Sequence, residues 1–185
     1  MNAPVAVTDR LVLRDFTPSD VPLYVALSAD PEIMRYLGGP KSAEHCIGEI
    51  EAISKQYAAI AVGMLAVERR EDGQFLGICG LSYEPWYPDD LQIGWRFFKD
   101  HWGQGYPTEA ARVWRDHAFA TLGAPRLISI SDVPNFRSHR VMERLGMRPD
   151  HDAVLQDGEE TFEARIYVQE RALWQSVINA GNFPR

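Results

Sequence analysis

The sequence predicts an α/β (α+β) fold, a mixed sheet with helices on both faces, in a single domain over residues 1–185. Three observations lead there. A buried-strand pattern at residues 91–98 runs through a glycine turn, His101-Trp102-Gly103-Gln104-Gly105-Tyr106, into a helical pattern that begins at Pro107. Asp72-Gly73 stands between two apolar runs, residues 63–68 and 74–81, which is a hairpin signal. Along the whole chain the patterns follow the order β-α-α-β-β-β-α-β-α-β-β, the mark of a mixed sheet.

Each element has its own justification. Residues 10–16 alternate as a first strand, and Thr17-Pro18-Ser19-Asp20 supplies helix-start chemistry. Leu23, Ala26 and Leu27 form a short stripe, and that helix should end before Asp30-Pro31. After Gly38-Gly39-Pro40, Ser42 reads as the cap of a longer helix reaching Ile60, with Cys46, Ile47, Ile50 and Ile53 on one face. Two helices inserted there form a lid-like segment.

Residues 83–90 read as an aromatic, proline-rich loop that enters the central strand. The helix after Gly105 buries Ala110, Val113, Trp114, Ala118 and Leu122, and Gly123 with Pro125 stops it. A strand at 126–130, a compact helix at 135–145 ended by Gly146, a turn at Asp157-Gly158, a strand at 162–168 and a helix at 172–178 complete the chain.

The central unit carries chemistry. A strand, a glycine turn and a helix start together aim main-chain N–H groups at an anion, and the helix macrodipole adds to the same field. Gly103 and Gly105 let the backbone approach a phosphate and visit positive φ. The alternative is a tight turn with no ligand. No Gly-Lys-Ser/Thr follows, so this is not a Walker loop, and no third glycine makes it a dinucleotide fingerprint.

Bulk properties narrow the class. The chain has 185 residues, 45% hydrophobic and 24% charged, which is ordinary for one globular domain. A net charge of -7 argues against a nucleic-acid partner and is compatible with an amine-bearing substrate or simply an acidic surface. Cys46 and Cys79 are the two cysteines, with no CxxC, so no disulfide framework is expected. The five histidines are scattered without metal-ligand spacing, so no metal is expected. No apolar run has the length of a membrane span, and residues 1–10 lack a signal-peptide core. The expectation is a soluble, cytoplasmic protein without a membrane partner, as a monomer or homodimer.

Three segments resemble the GNAT superfamily of acetyl-CoA-dependent N-acetyltransferases, in the branch similar to ribosomal-protein N-acetyltransferases. The first is Arg10-Leu11-Val12-Leu13-Arg14 followed by Asp30-Pro31-Glu32-Ile33-Met34-Arg35-Tyr36-Leu37. The second runs from Ile93-Gly94-Trp95 through Trp102-Gly103-Gln104-Gly105-Tyr106-Pro107-Thr108-Glu109-Ala110. The third is Asn135-Phe136-Arg137-Ser138 with Val141-Met142-Glu143-Arg144-Leu145-Gly146-Met147.

That resemblance implies two splayed parallel strands, at 91–98 and 126–131, with the pantetheine arm of acetyl-CoA as co-substrate inserted between them. It implies that backbone groups of Trp95, Arg96 and Phe97 bind pantetheine. The pyrophosphate would lie on the backbone of Gly103, Gln104, Gly105, Tyr106, Pro107 and Thr108, with Pro107, where the family usually has glycine or alanine, lacking an N–H to donate. Asn135 would reach the cofactor, and Ser138 would touch the pantetheine or its sulfur. For Asn135 and Ser138 the bland reading is a helix cap and a solvent-facing residue.

The sequence departs from the family at two catalytic positions. Gln92 stands where relatives often carry glutamate, and an amide cannot accept a proton at neutral pH. Met142 stands where some members carry an acid tyrosine. Glu84, Asp89 and Asp90 are the carboxylates left to take a proton from an ammonium, unless they are simply exposed loop groups. Ser138 is the remaining candidate to protonate the thiolate. A bulge near Gly94 would offer an oxyanion donor. His117 reads as a core histidine, and His101 and His139 as surface residues.

The function implied is acetyl transfer to a primary amine: a protein N-terminus, a polyamine or a small amine. The alternatives are a catalytically silent acyl-CoA-binding module and, more distantly, a generic nucleotide-binding domain. Tyr36, Trp86 and Tyr87 either line the acceptor pocket or pack the lid.

Overall fold

A computed structural model describes residues 5–180. Residues 1–4, part of the stretch read above for a signal-peptide core, and residues 181–185 lie outside the described residues. In chain order the elements are β1 (Ala6–Val7), β2 (Leu11–Arg14), α1 (Val21–Ala29), α2 (Ala43–Ile60), β3 (Met64–Arg69), β4 (Phe75–Glu84), β5 (Tyr87–Phe97), α3 (Tyr106–Ala120), β6 (Arg126–Asp132), α4 (Phe136–Arg144), β7 (Arg148–Asp157), β8 (Glu160–Glu170) and α5 (Arg171–Asn179). The chain divides into two compact units. One is Met1–Ser82 with Gly94–Val113, and the other is Tyr83–Ile93 with Trp114–Arg185.

In the first unit the strand order is β1-β2-β3-β4, all antiparallel. The β3–β4 hairpin turns where Gly73 takes φ +73° and the Asp72 carboxylate accepts the Gln74 N–H. Helix α2 begins because Ser42 accepts the His45 N–H at 3.2 Å, and it stops where Ala61 enters the left-handed region. Phe16, Tyr24, Leu27, Ile33, Cys46, Ile50, Ala66, Phe75 and Ile78 form one apolar core between α1, α2 and the sheet. Gly77 and Gly80 are required by packing, since a Cβ would lie 2.2 Å from the Arg96 oxygen and 1.9 Å from the Gly63 oxygen respectively.

In the second unit the order is β5-β6-β8-β7. Strands β5 and β6 pair in parallel at Leu91↔Leu127 and Gln92↔Ile128. The next carbonyl on β5, that of Ile93, accepts from the buried Ser129 side chain at 2.9 Å. On its other edge β6 pairs with β8 along its whole length, and β8 with β7. A second core joins Ile128, Leu155, Ala164, Ile166 and Val168. The mixed sheet chemistry and the helix order are those the sequence predicts.

Several expectations need correction. Residues 83–90 are not a loop: β4 runs through Glu84 and β5 starts at Tyr87, with Pro85 and Trp86 as the turn. Aromatic side chains make that segment strand-compatible, since Trp86 and Tyr87 pack against the second core. Ile47 is 46% exposed although its neighbours Cys46 and Ile50 are buried, because the buried stripe of α2 is narrower than the apolar pattern. His101 and His139 are buried at 6% and 4% exposure, not surface residues. Aromatic partners cover both: His101 meets the Tyr106 ring edge-on, and His139 lies between Phe136 and Tyr167. The two-residue strand β1 has no counterpart in the sequence reading.

Candidate active site

The glycine turn sits in the first unit between β5 and α3. Gly103 and Gly105 take φ +74° and +82°, conformations that side chains rarely adopt. Among the described residues, nothing beyond its chain neighbours lies within 4 Å of the place a Gly103 Cβ would fill. Gln104 turns its side chain back, donating Nε2 to the Asp100 oxygen at 2.7 Å. Tyr106 and Thr108 are buried in the first turn of α3. First-turn N–H groups have no partner within their own helix, and Pro107 has none to give, so Tyr106 and Thr108 are the available donors. The Thr108 hydroxyl is buried without a hydrogen-bond partner among the described residues. An orphaned buried hydroxyl beside open helix-start donors fits a phosphate oxygen.

Trp95, Arg96 and Phe97 occupy the last positions of β5. The Phe97 oxygen accepts from the Trp102 indole at 2.9 Å, which ties the strand end to the turn that follows. The Arg96 guanidinium donates to Ser28 Oγ at 2.7 Å and lies over the Tyr24 ring, so its side chain faces α1. Among the described residues, a Cβ at Gly94 would meet only the Met64 side chain, at 3.6 Å. The fold does not demand glycine there.

In the second unit, Glu84 and Gln92 face each other: Gln92 Nε2 donates to Glu84 Oε1 at 3.2 Å. The Gln92 oxygen is buried without a hydrogen-bond partner among the described residues. Glu84 is half-buried rather than a fully exposed loop group. Asp90 is engaged differently. Its carboxylate takes both arms of Arg126, Nε at 2.7 Å and Nη2, and that bond holds the Arg126 guanidinium further up its already high range. Asp89 is exposed.

Asn135 caps α4, its Oδ1 accepting the Ser138 N–H at 3.3 Å. Both residues are half-buried, and the cap leaves the Asn135 amide N–H₂ and the Ser138 hydroxyl for other partners. Just before them, burial pushes the Asp132 carboxyl up. His117 is half-buried with its ring edge-on to Trp114. Burial, and then Arg69, pushes His101 down; burial, and then Arg165, does the same to His139. Neutral rings are favoured at both positions.

Trp86 donates its indole N–H to the Gln156 oxygen at 2.7 Å and packs edge-on against Phe162, while the Tyr87 hydroxyl meets His151 Nε2 at 2.9 Å. Both aromatics are thus tied into the second unit. Tyr36 carries the Arg35 guanidinium over its ring. Cys46 and Cys79 are free and buried, and burial holds the Cys79 thiol far above its usual range. Among the described residues no group of three or more His, Cys, Asp or Glu could hold a metal, and no helix is long and apolar enough to cross a membrane.

Two features escaped the sequence reading. The Glu84–Gln92 pair joins residues on different strands, which spacing alone does not reveal. Glu109, with Arg10, braces the glycine turn; an acidic residue in the helix turn directly after the two glycines was the available signal.

A sequence model of the acetyltransferase (GNAT) domain matches residues 10–148. The chain is 32% identical to the uncharacterized protein YkkB of Bacillus subtilis over 80% of this chain and 87% of that protein. It is 26% identical to the uncharacterized N-acetyltransferase YoaA of the same organism, over 80% of this chain and 84% of YoaA. The crystal structure of an acetyltransferase from Agrobacterium tumefaciens superposes with a TM-score of 0.78 at 30% identity, covering 92% of this chain and 96% of the other. With its order of elements and its glycine turn, the chain belongs to the GNAT acetyltransferase family.

Proposed function

We propose that this N-acetyltransferase moves the acetyl group of acetyl-CoA to a primary amine, and that residues 1–185 act as one acetyltransferase domain. Acetyl transfer itself comes with the family; the amine acceptor and the residue roles are the proposal. The observation that carries it is the glycine turn, whose two positive-φ glycines precede a helix start with an orphaned, buried Thr108 hydroxyl. Those features fit a diphosphate, and they are otherwise a cost to the fold.

Acetyl-CoA, when bound, supplies the activated acetyl thioester. Main-chain donors of Gly103, Gln104, Gly105, Tyr106 and Thr108 hold its diphosphate, and the backbone of Trp95, Arg96 and Phe97 aligns the pantetheine amides. The amide N–H₂ of Asn135 is the further donor to the cofactor. The Gly94 N–H donates to the thioester carbonyl oxygen as negative charge gathers there. The absence of a Cβ at Gly94, which the fold does not demand, leaves room for that approach.

Glu84 takes the proton that the attacking amine sheds as its nitrogen bonds to the carbonyl carbon, directly or through water. Gln92 holds the Glu84 carboxylate in place by its amide. Ser138 gives its hydroxyl proton to the departing sulfur and regains one from solvent. Asp90 is left out of this scheme because Arg126 occupies both of its oxygens.

The test is thiol release from acetyl-CoA across a panel of N-terminal peptides, polyamines and small amines, with acetylated product identified by mass. Turnover on one amine class supports the reading. CoA binding without turnover on any acceptor favours a silent acyl-CoA-binding module.

A further inference from the structure

Glu109 stands in the first turn of α3, where a free carboxylate would repel an anion held by the glycine turn. It is not free. Oε1 accepts from the Thr8 hydroxyl at 2.6 Å and from the Arg10 main-chain N–H at 3.0 Å, while Oε2 accepts from Arg10 Nε at 2.6 Å. Arg10 Nη2 lies 2.6 Å from the same Oε2. Burial alone would raise the Glu109 carboxyl, but these bonds outweigh it and hold the group below its usual range.

The other arm of the guanidinium reaches the turn itself. Arg10 Nη1 donates to the Gln104 oxygen at 2.9 Å, and the guanidinium carbon lies 4.5 Å from the centre of the Tyr106 ring. A Cβ at Gly105 would sit 3.4 Å from Nη2, so the guanidinium closes over the turn from one side. A trans peptide directs its C=O and N–H to opposite sides, and none of the described peptide bonds is cis. Holding the Gln104 oxygen on the Arg10 side therefore turns the Gly105 N–H away from Arg10.

We propose that Arg10 is a positioning residue for the donor substrate: it fixes the Gln104–Gly105 peptide so that the Gly105 N–H faces the diphosphate, and it cancels the Glu109 charge beside that site. This rests on the reading of the turn as the diphosphate cradle of acetyl-CoA. Arg10 acts through the peptide and the carboxylate, so the effect of its loss has two separable parts. One is a misaimed donor, and the other is an uncovered negative charge.

Calorimetric titration of CoA into the full chain separates them. R10M weakens CoA binding about tenfold, the scale of one charge-assisted hydrogen bond. The double variant R10M/E109Q recovers part of that loss, because the repelling carboxylate is gone. R10K, which keeps the charge but not the forked geometry, falls between R10M and the native protein and carries the test should R10M fold poorly. Native protein that binds CoA while R10M and R10K bind it equally well overturns the proposal and leaves the cradle standing. A double variant no tighter than R10M overturns the charge-cancelling role. Native protein without CoA affinity overturns the cradle and the proposal together.

Discussion

The amide of Gln92 donates to the carboxylate of Glu84 across 3.2 Å, pairing the residue that cannot act as a base with a neighbour that can. The carboxylate belongs to β4 and the amide to β5, so the proposed base and the group that would orient it come from consecutive strands. Replacing Glu84 by Gln should lower kcat by about 10²-fold, the usual scale for removing a general base. Steady-state kinetics on the best amine checks this; activity within twofold of the native protein would remove Glu84 from the mechanism.

Asp90 plays a structural part beside it. Its two-armed bond to Arg126 ties β5 to β6 at the end of their parallel ladder, with the Asp90 side chain only 14% exposed. Replacing Asp90 by Asn should cost about 1 kcal/mol, discounted for the exposure of Arg126. A thermal melt should show Tm lower by roughly 2–4 °C.

Gly77 holds β4 close to the end of β5. A Cβ there would lie 2.2 Å from the Arg96 oxygen and 2.7 Å from the Phe97 Cα, and backbone cannot yield as a flexible side chain does. Replacing Gly77 by Ala should destabilise the chain by about 2–3 kcal/mol, read as a lowered urea midpoint. The same change at Gly94, where the new Cβ would make an ordinary contact with the flexible Met64 side chain, should leave the midpoint almost unmoved.

Acid should act through Asp20 and Arg14. Burial would raise the Asp20 carboxyl, but bonds from Arg14 and Thr17 outweigh it and hold it below the usual range. Arg14 reaches it at 2.6 and 3.0 Å, and the Asp20 side chain is 3% exposed. A folded pKa below the unfolded value of about 3.9 means the unfolded chain binds the extra proton. The stabilisation is complete above about pH 5 and is lost as pH falls through the folded pKa. Replacing Asp20 by Asn should cost about 3 kcal/mol at pH 7 and flatten the fall in stability below pH 5. Urea midpoints from pH 7 to pH 3 decide it.

Local chemistry was the legible part of this sequence. Gly73 after Asp72, Ser42 before a helical stripe, and Gly103 with Gly105 before Pro107 each announce a turn or cap through their own backbone preferences. What tertiary packing decides stayed hidden. His139 reads as a polar helix residue until Phe136 and Tyr167 close around it. Glu84 and Gln92 lie eight positions apart, and only the path of β4 and β5 makes them neighbours. Arg10 and Glu109 lie further apart still; Glu109 in the first turn of α3 was a local hint, but only the fold shows that Arg10 is its partner. Residues 83–90 misled for another reason: two prolines and three acids signal a loop, while the aromatics that make the segment strand-compatible act through contacts with the second core.

The most direct test of the central claim is a calorimetric titration of CoA into the native chain. Single-site, saturable binding in the micromolar range or tighter, weakened when Gly105 is replaced by valine, is the expected result. A titration with no saturable heat, or one that the Gly105 substitution leaves unchanged, would contradict the assignment of the glycine turn and the donor chemistry that depends on it.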